Sequence, residues 1–315
     1  MDKSGRIDPI RYINRGINIL KYSTYYPHLI PIITSRLASR LIDRLNLYPK
    51  IDSPSQKELI HRRDWDILII LDACRFDAYI ASRAPKLGGK LYHAWSPASI
   101  TPHWVMRTWI NGRWDDVIYI SANIFINKSL GPKKHLHRLF IYNLRDKFMD
   151  IVEVWRRGTD KRLHTVPPWN VYRAYKTVRL KMKLRKMRLG RDYKMVIHFM
   201  QPHTPYITQE KLNTLIYRLD DEIKKMGLGL GFEYLYIPYM RKYMSKEDVD
   251  KILWNGYMNN LDLALSYVER IIRENSGKNI IITSDHGEMM GEYNLYYHFD
   301  IENIQLRLVP YHIIP

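Results

Sequence analysis

The sequence has very little cysteine and no long apolar run. Cys74 is the single cysteine among 315 residues, which excludes an intrachain disulfide framework and a cysteine-rich zinc module. No uninterrupted apolar segment approaches the roughly 18 residues that span a bilayer, and the N-terminal sequence lacks the pattern of a secretory signal peptide. We therefore expect a protein without a transmembrane helix, in the cytoplasm or peripheral to the cytoplasmic face of the membrane.

Acidic residues are scarce relative to basic ones. The chain has 50 Lys and Arg against 32 Asp and Glu, a formal net charge of +18. Such an excess favours anionic partners, namely phosphate or sulfate esters, an anionic membrane face or nucleic acid, without choosing among them. The hydrophobic fraction of 46% is enough to bury a sizeable core.

Residues 1–60 are predicted to form a basic, mostly helical N-terminal arm ahead of a catalytic domain at 61–315. One stretch of the arm spaces its apolar side chains as a helix does: Leu37, Leu41, Ile42 and Leu45. Another face of the same helix carries Arg36, Arg40 and Arg44. The pattern fits an amphipathic helix packed on the body of the protein, which we favour, or a peripheral membrane contact.

Four short apolar runs predict buried strands. They are Ile67–Leu71, Val117–Ser121, Met195–Met200 and Asn279–Thr283. Each run is continuous rather than alternating, which is typical of strands buried on both faces of a parallel sheet. Helical patterns lie between the runs, so the expected class is α/β with a mostly parallel central sheet.

A long basic section around residues 128–192 is predicted as a helical insertion. As a helix, its apolar residues do not form one clean stripe: Val178, Met182, Leu184 and Met187. A solvated, partly packed helix is the favoured interpretation. The segment lacks a recognisable groove-reading motif, so nucleic-acid binding is not expected.

Unusual polar residues follow several of these strands. Asp72 follows the first, the stretch "HFMQPHTPY" ends the third, and Asp285 and His286 follow the fourth. The carboxyl ends of parallel strands meet at one sheet edge, where two carboxylates and an imidazole are costly without a cation. Mixed oxygen and nitrogen ligands suit one divalent ion of Mn²⁺, Zn²⁺ or Mg²⁺, with Ca²⁺ less favoured.

The segment "YHAWSPASITPHW" is rich in hydroxyl groups, with Ser96, Ser99 and Thr101. A free alcohol is a poor nucleophile at neutral pH, and metal coordination is one way to ionise it. A purely structural role is the alternative for Thr101, because Thr before Pro102 also fits a helix N-cap with proline at the first position.

Three motifs resemble the sulfatase-like branch of the alkaline-phosphatase superfamily. They are "DILIILDACRFD", "HFMQPHTPY" and "IIITSDHGEMMGEYNLYYH", which occur in the family's order over residues 64–315. In addition, "SITPHW" and "YISANIFIN" are similar to archaeal sulfatase-like proteins. The resemblance implies an alkaline-phosphatase-like three-layer sandwich.

The resemblance also implies roles for individual residues. The metal ligands would be Asp72, Asp285, His286 and the nucleophile, for which Thr101 matches best and Ser99 is the fallback. His203 would be a catalytic residue acting on the substrate or leaving group. The substrate would be bound by Arg75 and His298, and Trp104 is a candidate wall of the pocket.

Departures from the family pattern narrow the range of reactions that the resemblance implies. The Cys-x-Pro-x-Arg motif from which true sulfatases make formylglycine is absent, and Cys74 stands elsewhere. The Asp-x-x-x-His motif of two-zinc phosphatases is incomplete, because Asp262 is followed by Ser266. A threonine with one metal is more similar to the phosphoglycerol and phosphoethanolamine transferases of the superfamily.

The sequence thus predicts a metal-dependent hydrolase or transferase of phosphate esters that passes through a phospho-threonine. The substrate would be anionic, with a lipid or a glycan among the candidates. One alternative is a sulfate-ester hydrolase that works without formylglycine. The other, from a different class, is a membrane- or glycan-binding protein whose catalytic site has decayed.

Overall fold

The computed structural model describes residues 29–45, 51–128, 142–190, 192–210, 212–214 and 236–315. The chain divides into two compact units. We call the larger one the sheet unit; it comprises Tyr48–Glu210, Asn255–Met289 and His298–Pro315. The second unit comprises Met1–Leu47, Lys211–Trp254 and Met290–Tyr297.

A mostly parallel sheet of seven described strands forms the sheet unit. In spatial order the strands are β2 (Lys90–Trp95), β9 (Leu308–Ile314), β6 (Ile280–Thr283), β1 (Ile67–Leu71), β5 (Lys194–Phe199), β3 (Trp114–Ser121) and β4 (Phe148–Glu153). β1 pairs in parallel with both β5 and β6, and β3 pairs in parallel with β4 and β5. β9 runs antiparallel to both of its neighbours. Two short strands, β7 (Met289–Met290) and β8 (Tyr296–Tyr297), lie outside this sheet.

The predicted α/β class with a mostly parallel central sheet is confirmed, and so are the four predicted strands. β1 has the predicted bounds, and β3, β5 and β6 differ from prediction by at most three residues at an end. β9 was not predicted, because Pro310 and His312 interrupt its apolar run. The edge strands β2 and β4 were not predicted either, because their side chains are only partly buried.

Both faces of the sheet are covered, because all five residues of β1 are buried. Leu68 and Ile70 belong to a core cluster that also contains Ile60, Trp104 and Trp109. These three come from the helices α2 (Gln56–His61) and α4 (Thr101–Trp109). The side chains of β1 that alternate with them point to the opposite face.

Further helices complete the described chain. They are α1 (Leu29–Arg44), α3 (Phe76–Ala81), α5 (Trp155–Gly158), α6 (Pro168–Leu189), α7 (Tyr236–Arg241), α8 (Lys246–Glu274) and α9 (Ile304–Arg307). α6 contacts β3 and β5, and α3 contacts β9. The predicted basic insertion at 128–192 contains α6 but also the sheet strand β4. Its residues 129–141 and 191 lie outside the described residues.

The second unit contains α1, α7, the first turns of α8 and the segment Met290–Tyr297. Asp250 organises this part: its carboxylate accepts a hydrogen bond from the Tyr296 hydroxyl at 2.7 Å and pairs with Lys246. Gly291 lies against the same carboxylate with φ of +112°, and a Cβ there would come within 2.4 Å of Asp250 Oδ1. Only glycine fits this position.

The arm helix α1 exposes the apolar row that we expected to be packed. Leu37 and Leu41 are 60% and 58% exposed, whereas Ser39 is buried. Arg40 and Arg44 are exposed, and the side chain of Arg36 lies outside the described residues. The packed alternative for this row is therefore wrong. Within the described residues, no helix combines the length and apolar character needed to cross a membrane.

Candidate active site and metal centre

The carboxyl ends of three neighbouring strands bring the predicted residues together. Asp72 directly follows β1, His203 lies in the turn after β5, and Asp285 lies two residues beyond the end of β6. A backbone hydrogen bond joins two of these strand ends, because the His203 amide donates to the Asp72 carbonyl oxygen at 3.2 Å. The Ala73 amide donates to Asp285 Oδ1 at 3.0 Å.

Thr101 places its hydroxyl between the predicted metal ligands. Its Oγ1 donates to Asp285 Oδ2 at 2.7 Å and lies 3.2 Å from His286 Nε2. Ile100 is the N-cap of α4 and Thr101 is the first helical residue, so the N-cap alternative for Thr101 is wrong. The Thr101 side chain contacts the loop after β6 and does not cap its own helix. Thr101 is buried, with 3% exposure.

Two side chains that the sequence did not point to complete this centre. Asn123, just after β3, donates from Nδ2 to Asp72 Oδ2 at 2.5 Å and lies 3.4 Å from Thr101 Oγ1. His198, in β5, places Nε2 3.7 Å from Asp72 Oδ2. Its other ring nitrogen lies 3.0 Å from the Tyr119 hydroxyl, which fixes the orientation of the imidazole.

The pKa values of the Asp72 and Asp285 carboxylates shift in opposite directions. Burial and the charge of Asp285 raise the pKa of Asp72 well above its ordinary value. Burial alone would raise the pKa of Asp285, but His286, His198 and the hydrogen bond from Thr101 together lower it. These two neighbouring buried carboxylates therefore favour a single negative charge between them. A bound cation would stabilise the second negative charge.

The residues present fit a divalent ion. Asp72, His198 and Asp285 offer ligand atoms that all lie within 4.8 Å of one another, and all three are buried. Asp72 Oδ1 and His198 Nε2 are buried atoms without a hydrogen-bond partner among the described residues. Burial lowers the pKa of His198 to about 4, so its imidazole is neutral near pH 7 and able to bind a metal.

A second group of potential metal ligands consists of His203, Glu288 and His298. Glu288 is fully buried, and its Oε1 lies 2.8 Å from His298 Nδ1. The ring centroids of His203 and His298 are 5.0 Å apart, and those of His286 and His298 are 4.4 Å apart. This group therefore adjoins the first through His286.

Arg75 is buried next to this centre but is already paired. Its guanidinium binds both carboxylate oxygens of Asp77, at 2.9 and 2.6 Å, and donates to the Glu288 carbonyl oxygen at 3.2 Å. A substrate phosphate would share this cation with Asp77. The role of Arg75 in substrate binding stays a prediction.

Two other candidates lie in structural positions. Trp104 is fully buried in the core cluster, and its indole N–H donates to Gln56 Oε1 at 2.8 Å, so Trp104 does not wall a substrate pocket. Ser99 Oγ accepts a hydrogen bond from the Ile301 amide at 3.2 Å. The hydroxyl of Ser99 therefore supports the loop at Ile301, and Thr101 remains the candidate nucleophile.

Buried contacts hold the loop that carries Asp285 and His286 in place. Gly287 packs so closely on Gln305 that a Cβ would lie 1.9 Å from its carbonyl oxygen. Gln56 donates to Thr283 Oγ1 at 2.8 Å and to the Ser284 carbonyl oxygen, while accepting from Trp104. Gln56 thus connects the loop before Asp285 to the helix that begins with Thr101, although it falls in the predicted N-terminal arm.

Asn123 was predictable from the sequence, because it follows a predicted strand much as Asp72 does. His198 had no such signal, since it lies inside an apolar run where a histidine usually fills the core. Glu288 follows His286 by two residues in the quoted "SDHGE" motif but was not assigned a role.

No protein-family model and no curated protein sequence matches the chain. Several solved structures are similar to it at low identity. The soluble domain of lipooligosaccharide phosphoethanolamine transferase A from Neisseria meningitidis has 13% identity and a TM-score of 0.42, covering 78% of this chain and 75% of that one.

Two other similar structures belong to different enzyme classes. YidJ from Bacteroides fragilis, described as a sulfatase, has 15% identity and a TM-score of 0.46 over 84% of this chain and 69% of that one. Phosphonate monoester hydrolase from Silicibacter pomeroyi has 14% identity and a TM-score of 0.43 over 78% and 67%. The sequence resemblance named sulfatase-like proteins and phosphoethanolamine transferases but not phosphonate monoester hydrolases, and its archaeal part has no support among these structures. Because the TM-scores are below 0.5, the functional proposal rests on the residues of this chain.

Proposed function

We propose that this chain is a metal-dependent transferase or hydrolase of phosphate esters with Thr101 as its nucleophile. The observation that carries the proposal is the position of the Thr101 hydroxyl, 2.7 Å from Asp285 Oδ2 and 3.2 Å from His286 Nε2. A purely structural role for Thr101 would not require two potential metal ligands beside its hydroxyl. We assign the ion to Asp72, Asp285, His286 and Thr101, with His198 beside Asp72.

A divalent ion held there would lower the pKa of the Thr101 hydroxyl and polarise the phosphoryl group. Thr101 Oγ1 gives its proton to the Asp285 carboxylate along their hydrogen bond. The Oγ1–P bond forms as the P–O bond to the leaving alcohol breaks. Asn123 Nδ2, 3.4 Å from Thr101 Oγ1, is positioned to donate to an oxygen of the transferring group.

We assign His203 as the acid that protonates the leaving oxygen and as the base that accepts a proton from the entering oxygen. Burial and the neighbouring His298 lower the pKa of His203 to about 4 in the free protein. An anionic phosphate offsets this effect, so that His203 becomes protonated and gives a proton to the leaving oxygen. In the second step His203 takes the proton of the attacking water or alcohol. The Thr101–phosphate bond breaks, and Asp285 returns its proton to Thr101 Oγ1 along the same hydrogen bond. His298 and Arg75 bind the remaining phosphate oxygens.

Steady-state kinetics with chromogenic phosphodiester, phosphomonoester and sulfate-ester substrates, with Mn²⁺, Mg²⁺ and Zn²⁺ added in turn, tests this proposal. We expect metal-dependent turnover of a phosphate ester. Thr101→Ala should lose turnover with little change in KM, because Asp72, Asp285 and His286 still hold the ion and the residues that bind the phosphate are unchanged. Thr101→Ser should retain part of the activity.

Other outcomes of the same experiment identify the alternatives. Turnover of the sulfate ester alone would favour a sulfatase that works without formylglycine. Absence of both bound metal and turnover would favour a decayed site with a binding function. Near wild-type turnover by a well-folded Thr101→Ala protein would exclude Thr101 as the nucleophile.

We also propose a peripheral membrane contact through the N-terminal arm. Its support is the exposed apolar row of α1 with Arg40 and Arg44 alongside it. Apolar and basic side chains on one exposed helix suit the interface of an anionic bilayer. Location at the cytoplasmic face, and a lipid or glycan as the carrier of the phosphate ester, are parts of the same proposal.

A further inference from the structure

The helix α6, in the sheet unit, carries two apolar rows on opposite sides. Val171, Tyr175, Val178 and Met182 are all buried. Leu180, Leu184 and Met187 are instead 62%, 59% and 78% exposed. At 3.6 residues per turn, each row occupies about 60° of the helix circumference, and the two rows are about 180° apart. This explains why the apolar residues of the segment do not form one stripe in the sequence.

Packing against the core does not explain why these three apolar side chains lie in one exposed row. The inner row already attaches α6 to the sheet, where the helix contacts β3 and β5. A single exposed apolar residue is ordinary, but three at i, i+4 and i+7 on one side form a continuous strip. We call Leu180, Leu184 and Met187 the outer row.

Basic residues lie on both sides of the outer row. Lys183 lies about 70° from the centre of the row on one side, and Lys181 and Arg185 lie about 90° and 130° from it on the other. All three are exposed. None of the three has an acidic partner within 4 Å among the described residues. By contrast, Lys176 and Arg179, nearer the start of the helix, are paired with Glu274 at 3.0 and 3.7 Å.

The sequence around α6 concentrates this charge further. Between Asp160 and Asp192 there is no acidic residue, while α6 itself has eight Lys and Arg. No acidic residue within α6 itself therefore compensates this positive charge. Such a surface is complementary to a dense array of negative charges.

We propose that the outer row of α6, with Lys181, Lys183 and Arg185, is a binding surface for an anionic lipid bilayer. The apolar side chains would enter the boundary between headgroups and acyl chains, and the basic side chains would contact the lipid phosphates. A nucleic acid would match the charge but would leave the three apolar side chains without a partner. The observations therefore favour a bilayer over nucleic acid.

This surface is independent of the catalytic proposal and of the proposed contact through α1. None of its residues belongs to the centre around Thr101, so substitutions there should leave turnover of a soluble substrate unchanged. Turnover therefore serves as the control for folding. Deletion of residues 1–50 tests α1 separately.

Co-sedimentation of the full chain with vesicles tests the proposal. We compare vesicles of phosphatidylcholine containing phosphatidylglycerol with vesicles of phosphatidylcholine alone, at low and high salt. Wild type should bind the anionic vesicles preferentially, and salt should weaken the binding. The triple variant Lys181→Gln, Lys183→Gln and Arg185→Gln should bind on the order of 100-fold more weakly, at about fivefold per charge.

Two further variants separate the contributions of apolar contact and of general charge. Leu180→Ser, Leu184→Ser and Met187→Ser together should weaken binding by at least about tenfold, because the apolar insertion is lost. The matched control Lys86→Gln, Lys90→Gln and Lys161→Gln removes three exposed charges that are not part of α6. It should bind much as wild type does.

Specific results would overturn the proposal. One is equal binding of anionic vesicles by wild type and both α6 variants. Another is equal weakening by the control variant, which would assign the binding to overall charge. Binding of a mixed-sequence oligonucleotide by wild type without vesicle binding would indicate a nucleic-acid surface. A self-associated wild type that becomes monomeric in the serine variant, again without vesicle binding, would indicate a second copy of the chain as the occupant.

Discussion

Replacement of Gln56 by alanine tests whether the position of Thr101 depends on a connection behind the site. Gln56 is fully buried and hydrogen bonds to Thr283, to the backbone of Ser284 and to Trp104. Ser284 immediately precedes Asp285, and Trp104 lies one turn after Thr101 in α4. Gln56→Ala therefore removes the link between α4, which begins with Thr101, and the loop that carries Asp285.

The size of the effect follows from the bonds that are lost. Each buried hydrogen bond contributes a net of about 0.5–1.5 kcal/mol, and the unpaired indole N–H of Trp104 would cost about 1–3 kcal/mol. We expect a loss of about 2–4 kcal/mol in the free energy of unfolding. Small domains are stable by roughly 5–15 kcal/mol, so the variant should still fold at 25 °C.

The catalytic effect should exceed the effect on metal binding. A displacement of about 1 Å at a reacting group can lower the rate by about 100-fold. We expect kcat to fall about 10- to 100-fold in Gln56→Ala, with metal content close to that of wild type, because Asp72, Asp285 and His286 remain. Chemical denaturation, elemental analysis and steady-state kinetics measure the three quantities.

The control is Glu58→Ala, on the exposed side of the same short helix. It should change neither kcat nor metal content. If Gln56→Ala lost only stability and kept wild-type kcat, Gln56 would be a packing residue and the reasoning would be refuted.

Three further predictions concern the metal and the arm. Elemental analysis should find about one tightly bound divalent ion per chain, lost in Asp285→Ala and in His286→Ala; unchanged metal content in both would remove the metal assignment. His198→Ala should weaken metal binding measured by competition with a chelator, and an unaltered affinity would limit His198 to packing against Tyr119. Deletion of residues 1–50 should leave the metal content intact and reduce binding to anionic vesicles, and unchanged co-sedimentation would contradict the proposed contact through α1.

The sheet and the residues at its carboxyl edge were predictable because both follow from short-range patterns. β1 and β6 are continuous apolar runs, and each leads directly to a polar residue at the carboxyl end. Parallel strand ends meet at one edge whatever the details of packing, so Asp72 and Asp285 could be expected to lie close together. The proximity of these two carboxylates could be predicted without information on how helices pack.

What the sequence did not predict depends on tertiary neighbours. The sequence does not show that the ring of His198 lies between Tyr119 and Asp72, because an isolated histidine in an apolar run is equally compatible with a packed core. Likewise, β9 pairs inside the sheet despite Pro310, because its neighbours β2 and β6 fix its register.

Amphipathic helices showed the same dependence on packing. The period of the apolar residues in α1 correctly indicated a helix but not which side faces the solvent. In α6 two apolar rows overlap in the sequence, and only the structure separates the buried row from the exposed one.

Trapping of a phosphorylated Thr101 is the measurement that tests the central claim most directly. Wild-type protein turning over a phosphate ester is quenched in acid, digested and analysed by mass spectrometry, with Thr101→Ser and Thr101→Ala treated in parallel. We predict a phosphate adduct on residue 101 in wild type and in the serine variant, and none in the alanine variant. Active wild-type protein that accumulates its adduct on another residue, such as Ser99, would contradict the account.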